Sequence, residues 1–369
     1  MRPKICKASK SRGLILPSLA FVLLSAVSGP ARVDGARVEP SRPSLQEGQS
    51  QTVKQSEPRT PADPQVKAVL DKLAAAGVAR PTTVADVRKA YLFYPKLSGS
   101  PEQVFRVEDR QIPGPAGNIR VRIYTPSSTG GLPILVFLHG GGFVAGSLDS
   151  HDTPLRSVAN RCACIVVSVA YRLAPENKYP AAPEDAYAAT KWVAEHGAEI
   201  GGDPHRIAVG GDGAGGNLAA VVTLMARERG NPHLIFQLLI YPMVDATISR
   251  PGWWTESNAF TVTVEAKNEI LGMYLPITGE LRDPYVSPLF AESLKNLPPA
   301  LVITDEDDPM RDEGEEYAGR LAHDGVVAKV SRYPNMIHGF FLMAGELDAG
   351  KKCIEEAANA LRNAFQSAS

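Results

Sequence analysis

The chain has 369 residues, 44% hydrophobic and 21% charged, which suits one large globular domain with a sizeable core. Its formal net charge is −1; residues 1–28 hold five positive charges and no acid, so the remainder carries −6. A mildly acidic body excludes nucleic acid and anionic lipid as expected partners.

The basic residues of 2–12 precede an apolar run over 13–27 and the small residues Ala26, Ser28 and Gly29. This pattern predicts a secretory signal over 1–28, cleaved near Ser28, and a secreted or periplasmic protein. The run is short for a span and carries Pro17, so no stable membrane span is expected after cleavage. Residues 29–62, rich in Pro, Ser, Gln and charge, predict a disordered linker. An ordered domain is expected over 63–369.

Helical spacing of Val66, Val69, Leu70 and Leu73 predicts a helix over 65–76, and a second follows over 83–94. Strands are expected at 104–111 and 119–124, joined by the turn-rich residues 113–118. Apolar strands then alternate with helices. Strands are predicted at 134–138, 164–169, 206–210, 234–241, 300–304 and 327–333, and helices at 181–194, 214–227, 312–322 and 347–366. That alternation means an α/β fold with a mostly parallel sheet covered on both faces, and sites in such sheets form beyond the carboxyl ends of the strands. Residues 244–284, with Trp253, Trp254, Phe260 and a helix over 264–274, are too long for a plain connection. Together with 63–100 they are assigned to a helical cap over the site. Trp253 and Trp254 are candidates for lining its pocket or for packing the cap.

Of four cysteines, Cys6 leaves with the signal. Cys162 and Cys164 read as residues of one strand pointing to opposite faces, small apolar core residues like Cys353, with one disulfide left open.

Four motifs carry chemistry. His139-Gly140-Gly141-Gly142-Phe143 follows a strand, and its glycines allow backbone N–H groups to face an oxyanion. Gly211-Asp212-Gly213-Ala214-Gly215-Gly216 lies between a strand and a helix in the frame of a nucleophile elbow, but glycine stands at the central position where that motif has a serine. Asp308-Pro309-Met310-Arg311-Asp312-Glu313-Gly314 follows one strand, and His338-Gly339-Phe340 follows the last. Their order is nucleophile, acid, histidine, in which the acid fixes the tautomer of a proton-carrying imidazole. Asp305, Glu306 and Asp307 compete with Asp308 as the acid.

On these motifs, with Tyr171-Arg172-Leu173-Ala174-Pro175-Glu176 and Asp283-Pro284-Tyr285-Val286-Ser287-Pro288, the sequence resembles the hormone-sensitive-lipase-like family of α/β-hydrolases over about residues 63–366. The resemblance implies an eight-stranded sheet with a helical cap and cofactor-free hydrolysis of short-to-medium acyl esters. It implies an oxyanion hole of Gly141, Gly142 and the N–H of Ala214, and a triad completed by Asp308 and His338. Gly213 occupies the family's serine position, which puts the covalent acyl-enzyme step in doubt.

Three functions follow from this reading. The first is an ester hydrolase by lineage, impaired at Gly213. The second is a non-catalytic protein that holds a small-molecule ester or acid on the same scaffold. The third makes Asp212 a carboxylate nucleophile. No metal site is expected, because His151, His196, His205, His233 and His323 lack ligand-like spacing.

Overall fold

The computed structural model describes residues 61–254 and 262–368. The expected signal and most of the expected linker lie outside the described residues, as do Phe260 and the side chain of Trp254.

Eight strands form one sheet: β1 (Arg106–Gly114), β2 (Gly117–Thr125), β3 (Leu132–Leu138), β4 (Ile165–Ala170), β5 (Gly202–Asp212), β6 (Phe236–Ile240), β7 (Ala300–Asp307) and β8 (Ala328–Ile337). Their order is β1-β2-β4-β3-β5-β6-β7-β8. β1 and β2 form a hairpin, and β2 runs antiparallel to β4; every pairing from β4 to β8 is parallel. This is the expected mostly parallel sheet.

The helices are α1 (Pro64–Ala75), α2 (Val84–Phe93), α3 (Asp152–Cys162), α4 (Ala181–His196), α5 (Ala214–Arg229), α6 (Val264–Tyr274), α7 (Arg311–His323) and α8 (Asp348–Ser367). β3 shows how the two faces are divided. Ile134, Val136 and Leu138 join a core with α4, α5 and α7, while Leu135 and Phe137 join a core with α1, α3 and α8. The pleat sends alternate side chains to opposite faces, and both faces are covered, so the strand reads as an unbroken apolar run.

α3 is the helix that periodicity reasoning passed over. Its buried Leu155, Val158, Ala159 and Cys162 follow helical spacing, but Pro154 sits in its first turn, where proline is tolerated. Cys162 therefore ends a helix instead of lying in a strand. With Cys164 and Cys353 it points into one core, and all three thiols are free. This corrects the expectation of opposite faces, which a strand would not give either, because residues two apart on a strand share a face.

α1 is capped by Asp63, whose side chain accepts from Gln65 N and Val66 N. It is tied to the start of α8: Gln65 pairs with Asp348, and Lys72 lies 2.6 Å from Glu346. α2 opens with a capping box between Thr83 and Asp86. No helix of the described residues is long and apolar enough to cross a membrane.

Candidate active site

β5 ends at Asp212 and α5 begins at Ala214, so the chain turns on Gly213 alone. Gly213 adopts φ 53° and ψ −115°, a conformation that strains any residue with a Cβ. At Gly215 a Cβ would collide with the Leu138 carbonyl, which fixes how closely α5 approaches β3. The predicted elbow is therefore present as backbone.

The direction of the turn decides what it can do. A Cβ built at Gly213 would lie 3.4 Å from Nε2 and 3.5 Å from Cε1 of His338. His338 Nδ1–H donates to Asp308 Oδ2 at 2.9 Å, and Asp308 Oδ1 accepts from Met310 N at 2.9 Å. Asp308 is 0% exposed and His338 retains 14% side-chain exposure, a buried acid behind an imidazole that reaches the cavity. The His338 ring is also held against the Tyr241 ring, centroids 4.5 Å apart. Of the four consecutive acids, Asp308 meets the imidazole Nδ1.

The loop after β3 completes the arrangement. Gly141, Gly142, Gly213, Ala214 and His338 line a single cleft. The N–H groups of Gly141 and Gly142 donate no hydrogen bond within the described residues, and Ala214 N stands at the first turn of α5, where N–H groups have no helical acceptor. Five of the six predicted site positions thus line one cleft, and the sixth, Asp308, is buried behind His338.

Three residues outside the predicted set, Asp212, His151 and Tyr171, hold that loop. Asp212 Oδ1 accepts from Gly140 N at 2.8 Å and from His151 Nε2–H at 2.9 Å. Burial pushes the Asp212 carboxyl upward, but the His151 imidazole and the Gly140 amide outweigh it and hold the carboxyl below its usual range. This carboxylate is committed to the loop, which removes its reading as a nucleophile. Tyr171 Oη–H donates to the His139 carbonyl at 2.6 Å and its ring stacks on His139. Lone His151 and Tyr171 carry no local pattern that marks such a role.

α2 and α6 roof the cleft through Val87 and Tyr91 on one side and Ala266, Lys267 and Ile270 on the other. The segment between β6 and α6 is stapled to α7 by Glu313. Its Oε1 accepts from Val244 N and Asp245 N, and its Oε2 from Trp253 Nε1 at 3.2 Å and from Lys267 Nζ at 3.5 Å. Burial pushes the Glu313 carboxyl up to about 7, against the opposing Lys267 charge. Trp253 both lines the cleft and packs the roof, with Lys267 Nζ 3.9 Å from its ring centre.

Asp305, Asp308 and His338 bring ligand-type atoms within 4.8 Å of one another. His338 Nδ1 and Asp308 Oδ2 are already hydrogen-bonded, so two of those atoms are in use.

An eight-stranded sheet of this order, an elbow after β5, an acid after β7 and a histidine after β8 define an α/β-hydrolase. A family model described as alpha/beta hydrolase fold matches residues 135–342. Relatives include Esterase LipI of Mycobacterium tuberculosis, 42% identical over 283 residues that cover 75% of this chain and 87% of the relative. Carboxylesterase NlhH of the same species is 39% identical over 316 residues, covering 83% and 97%. Among solved structures, an esterase from Pyrobaculum calidifontis is 43% identical, with a TM-score of 0.75, covering 82% of this chain and 99% of that one. The chain belongs to this family, as an α/β-hydrolase of the hormone-sensitive-lipase-like type, and its lineage is that of carboxylic ester hydrolases.

Proposed function

We propose that this chain binds carboxylic esters of short-to-medium acyl length under α2 and α6 and hydrolyses them slowly, because Gly213 supplies no nucleophile. One observation carries the reading: the Cβ direction at Gly213 points at His338 Nε2 from 3.4 Å. A serine hydroxyl there would stand within reach of the imidazole, opposite the Gly141 and Gly142 amides. Asp308 and His338 are the acid and base of this reading, and Gly141, Gly142 and Ala214 its oxyanion donors.

Without the hydroxyl, the remaining groups support direct attack by water. His338 Nε2 takes a proton from water as the oxygen bonds to the ester carbon. The N–H groups hold the resulting oxyanion. The same proton passes to the alkoxide as the C–O bond breaks. Loss of the nucleophile in a serine hydrolase costs about a millionfold in turnover, and the scaffold alone retains about 10³–10⁴ over water. Hydrolysis of p-nitrophenyl butyrate by the native chain and by Gly213→Ser tests this. Gly213→Ser is expected to raise turnover by about four to six orders of magnitude. A gain below about tenfold would end the elbow assignment.

The unused Gly141 and Gly142 amides also favour a second reading, a non-catalytic site for an ester or a carboxylate. Tight binding of butyrate in calorimetry, with no turnover of the ester by the native chain, selects it. Export by the 1–28 signal, with the ordered domain from about residue 63 and the cap formed by α2 and α6, belongs to the same proposal.

A further inference from the structure

We propose that Asp305 is a positioning residue that carries a proton and donates it to Asp308, so that the two carboxyl groups share one negative charge behind His338. The inference deepens the hydrolase reading and rests on it for its functional meaning, but the state of Asp305 stands on geometry alone.

Asp305 lies near the end of β7 and is 0% exposed. No N–H or hydroxyl donor reaches either of its oxygens within the described residues. One oxygen of each acid and a ring nitrogen of His338 lie within 4.8 Å of one another. Two carboxylates cannot accept from each other, so a hydrogen bond between this pair requires that one of them holds a proton. Which one is decided by the donors. Asp308 accepts from Met310 N–H and His338 Nδ1–H, which favour its anion, while Asp305 accepts from nothing.

The charged and titratable surroundings agree. Asp307 at the end of the same strand and Asp308 just after it repel a further negative charge. Tyr241 after β6 and Cys353 on α8 are pushed up by burial, which keeps both neutral. The cation that acts on Asp305 among the described residues, Arg311, gives Nε and Nη2 to Asp312 and Nη1 to the Glu306 carbonyl. Burial first, then the Asp308 charge, push the Asp305 carboxyl well above the usual range.

The consequence is that Asp308 is pinned from three sides, and its pull on the His338 proton is tempered by a donor instead of reinforced by a second anion.

Infrared spectroscopy of the native full chain in heavy water at neutral pH reads the proton directly. A carboxylic-acid C=O band that shifts on ¹³C-aspartate labelling is expected; the label separates it from Glu313. Absence of such a band would overturn the proposal, and so would persistence of the whole band in Asp305→Asn. A stoichiometric divalent cation in the purified chain would also overturn it, because a cation would then neutralise the pair. In the Gly213→Ser background, Asp305→Asn keeps a neutral donor and is expected to leave the acid limb of the kcat/KM pH profile in place. Asp305→Ala removes the donor and is expected to move it upward. A downward move of about one pH unit in Asp305→Asn means that an anion was removed and the inference fails. If Gly213→Ser proves inactive, the hydrolase reading fails while the infrared result still decides the state of Asp305.

Discussion

At residue 213 the backbone demands a conformation that glycine accepts freely and serine only with strain. Its φ of 53° costs an L-residue about 1–3 kcal/mol. Restoring the hydroxyl should therefore lower stability while raising turnover. In urea denaturation Gly213→Ser is expected to be about 1–2 kcal/mol less stable than the native chain. Equal or greater stability would show that the elbow holds no strain. His139 gives the second test at this scale. Burial, followed by the neighbouring His151 charge, lowers its pKa from 6.5 to about 4. A folded pKa below the unfolded one means that the neutral ring is favoured in the fold. The stability it contributes is present above pH 6.5 and is lost as the pH falls toward 4. Over the whole window that amounts to about 3 kcal/mol. His139→Phe, which keeps a ring against Tyr171, is expected to flatten the decline in urea midpoint across this range. The motif residues themselves were legible in the sequence. What was not legible was that Asp212 and His151 brace the oxyanion loop, because that contact joins residues 61 apart through buried side chains.

Among the elements, α6 depends on α7 more than on its own composition. Glu313 receives four donors from the segment that carries α6, and each is buried or nearly so. Glu313→Ala leaves the Val244, Asp245 and Trp253 N–H groups without this acceptor and the buried Lys267, still bonded to the Asp245 carbonyl, without its Glu313 counter-charge, which should cost about 3–5 kcal/mol in denaturation midpoint experiments. The pH slope gives a separate reading. A carboxyl raised from 4.5 to about 7 contributes stability that is complete below 4.5 and declines as the pH rises through 7. Glu313→Gln is expected to lose that slope whatever its constant offset; an unchanged slope would assign it to another group. The helices themselves were readable from spacing and caps. α2 was announced by Thr83 and α6 runs over the predicted residues, whereas α3 was hidden by Pro154. That Glu313 serves the roof as well as the motif was not readable, since its partners lie 46 to 69 residues away.

For the molecule as a whole, the chemistry gathers at the carboxyl ends of the strands, while both faces of the sheet are packed as core. The cleft opens where β5, β7 and β8 end, and Leu73 of α1 lies in the core shared with α3 and α8. Leu73 is 1% exposed, so Leu73→Ala should destabilise the chain by about 2–5 kcal/mol. In the Gly213→Ser background that variant is expected to keep its kcat at temperatures where it stays folded. A large loss of kcat in the folded variant would show that α1 also shapes the site.

The sequence by itself determined the α/β class, the order of the strands and of every helix but α3, and the four motifs, because each follows from periodicity or spacing within a short stretch of chain. Tertiary structure alone decided which of four neighbouring acids meets His338, that the Cβ direction at Gly213 aims at Nε2, and that α2 and α6 close over the same cleft. These are relations between segments brought together from distant parts of the chain, and only the packing of helices on the twisted sheet sets them to within an ångström.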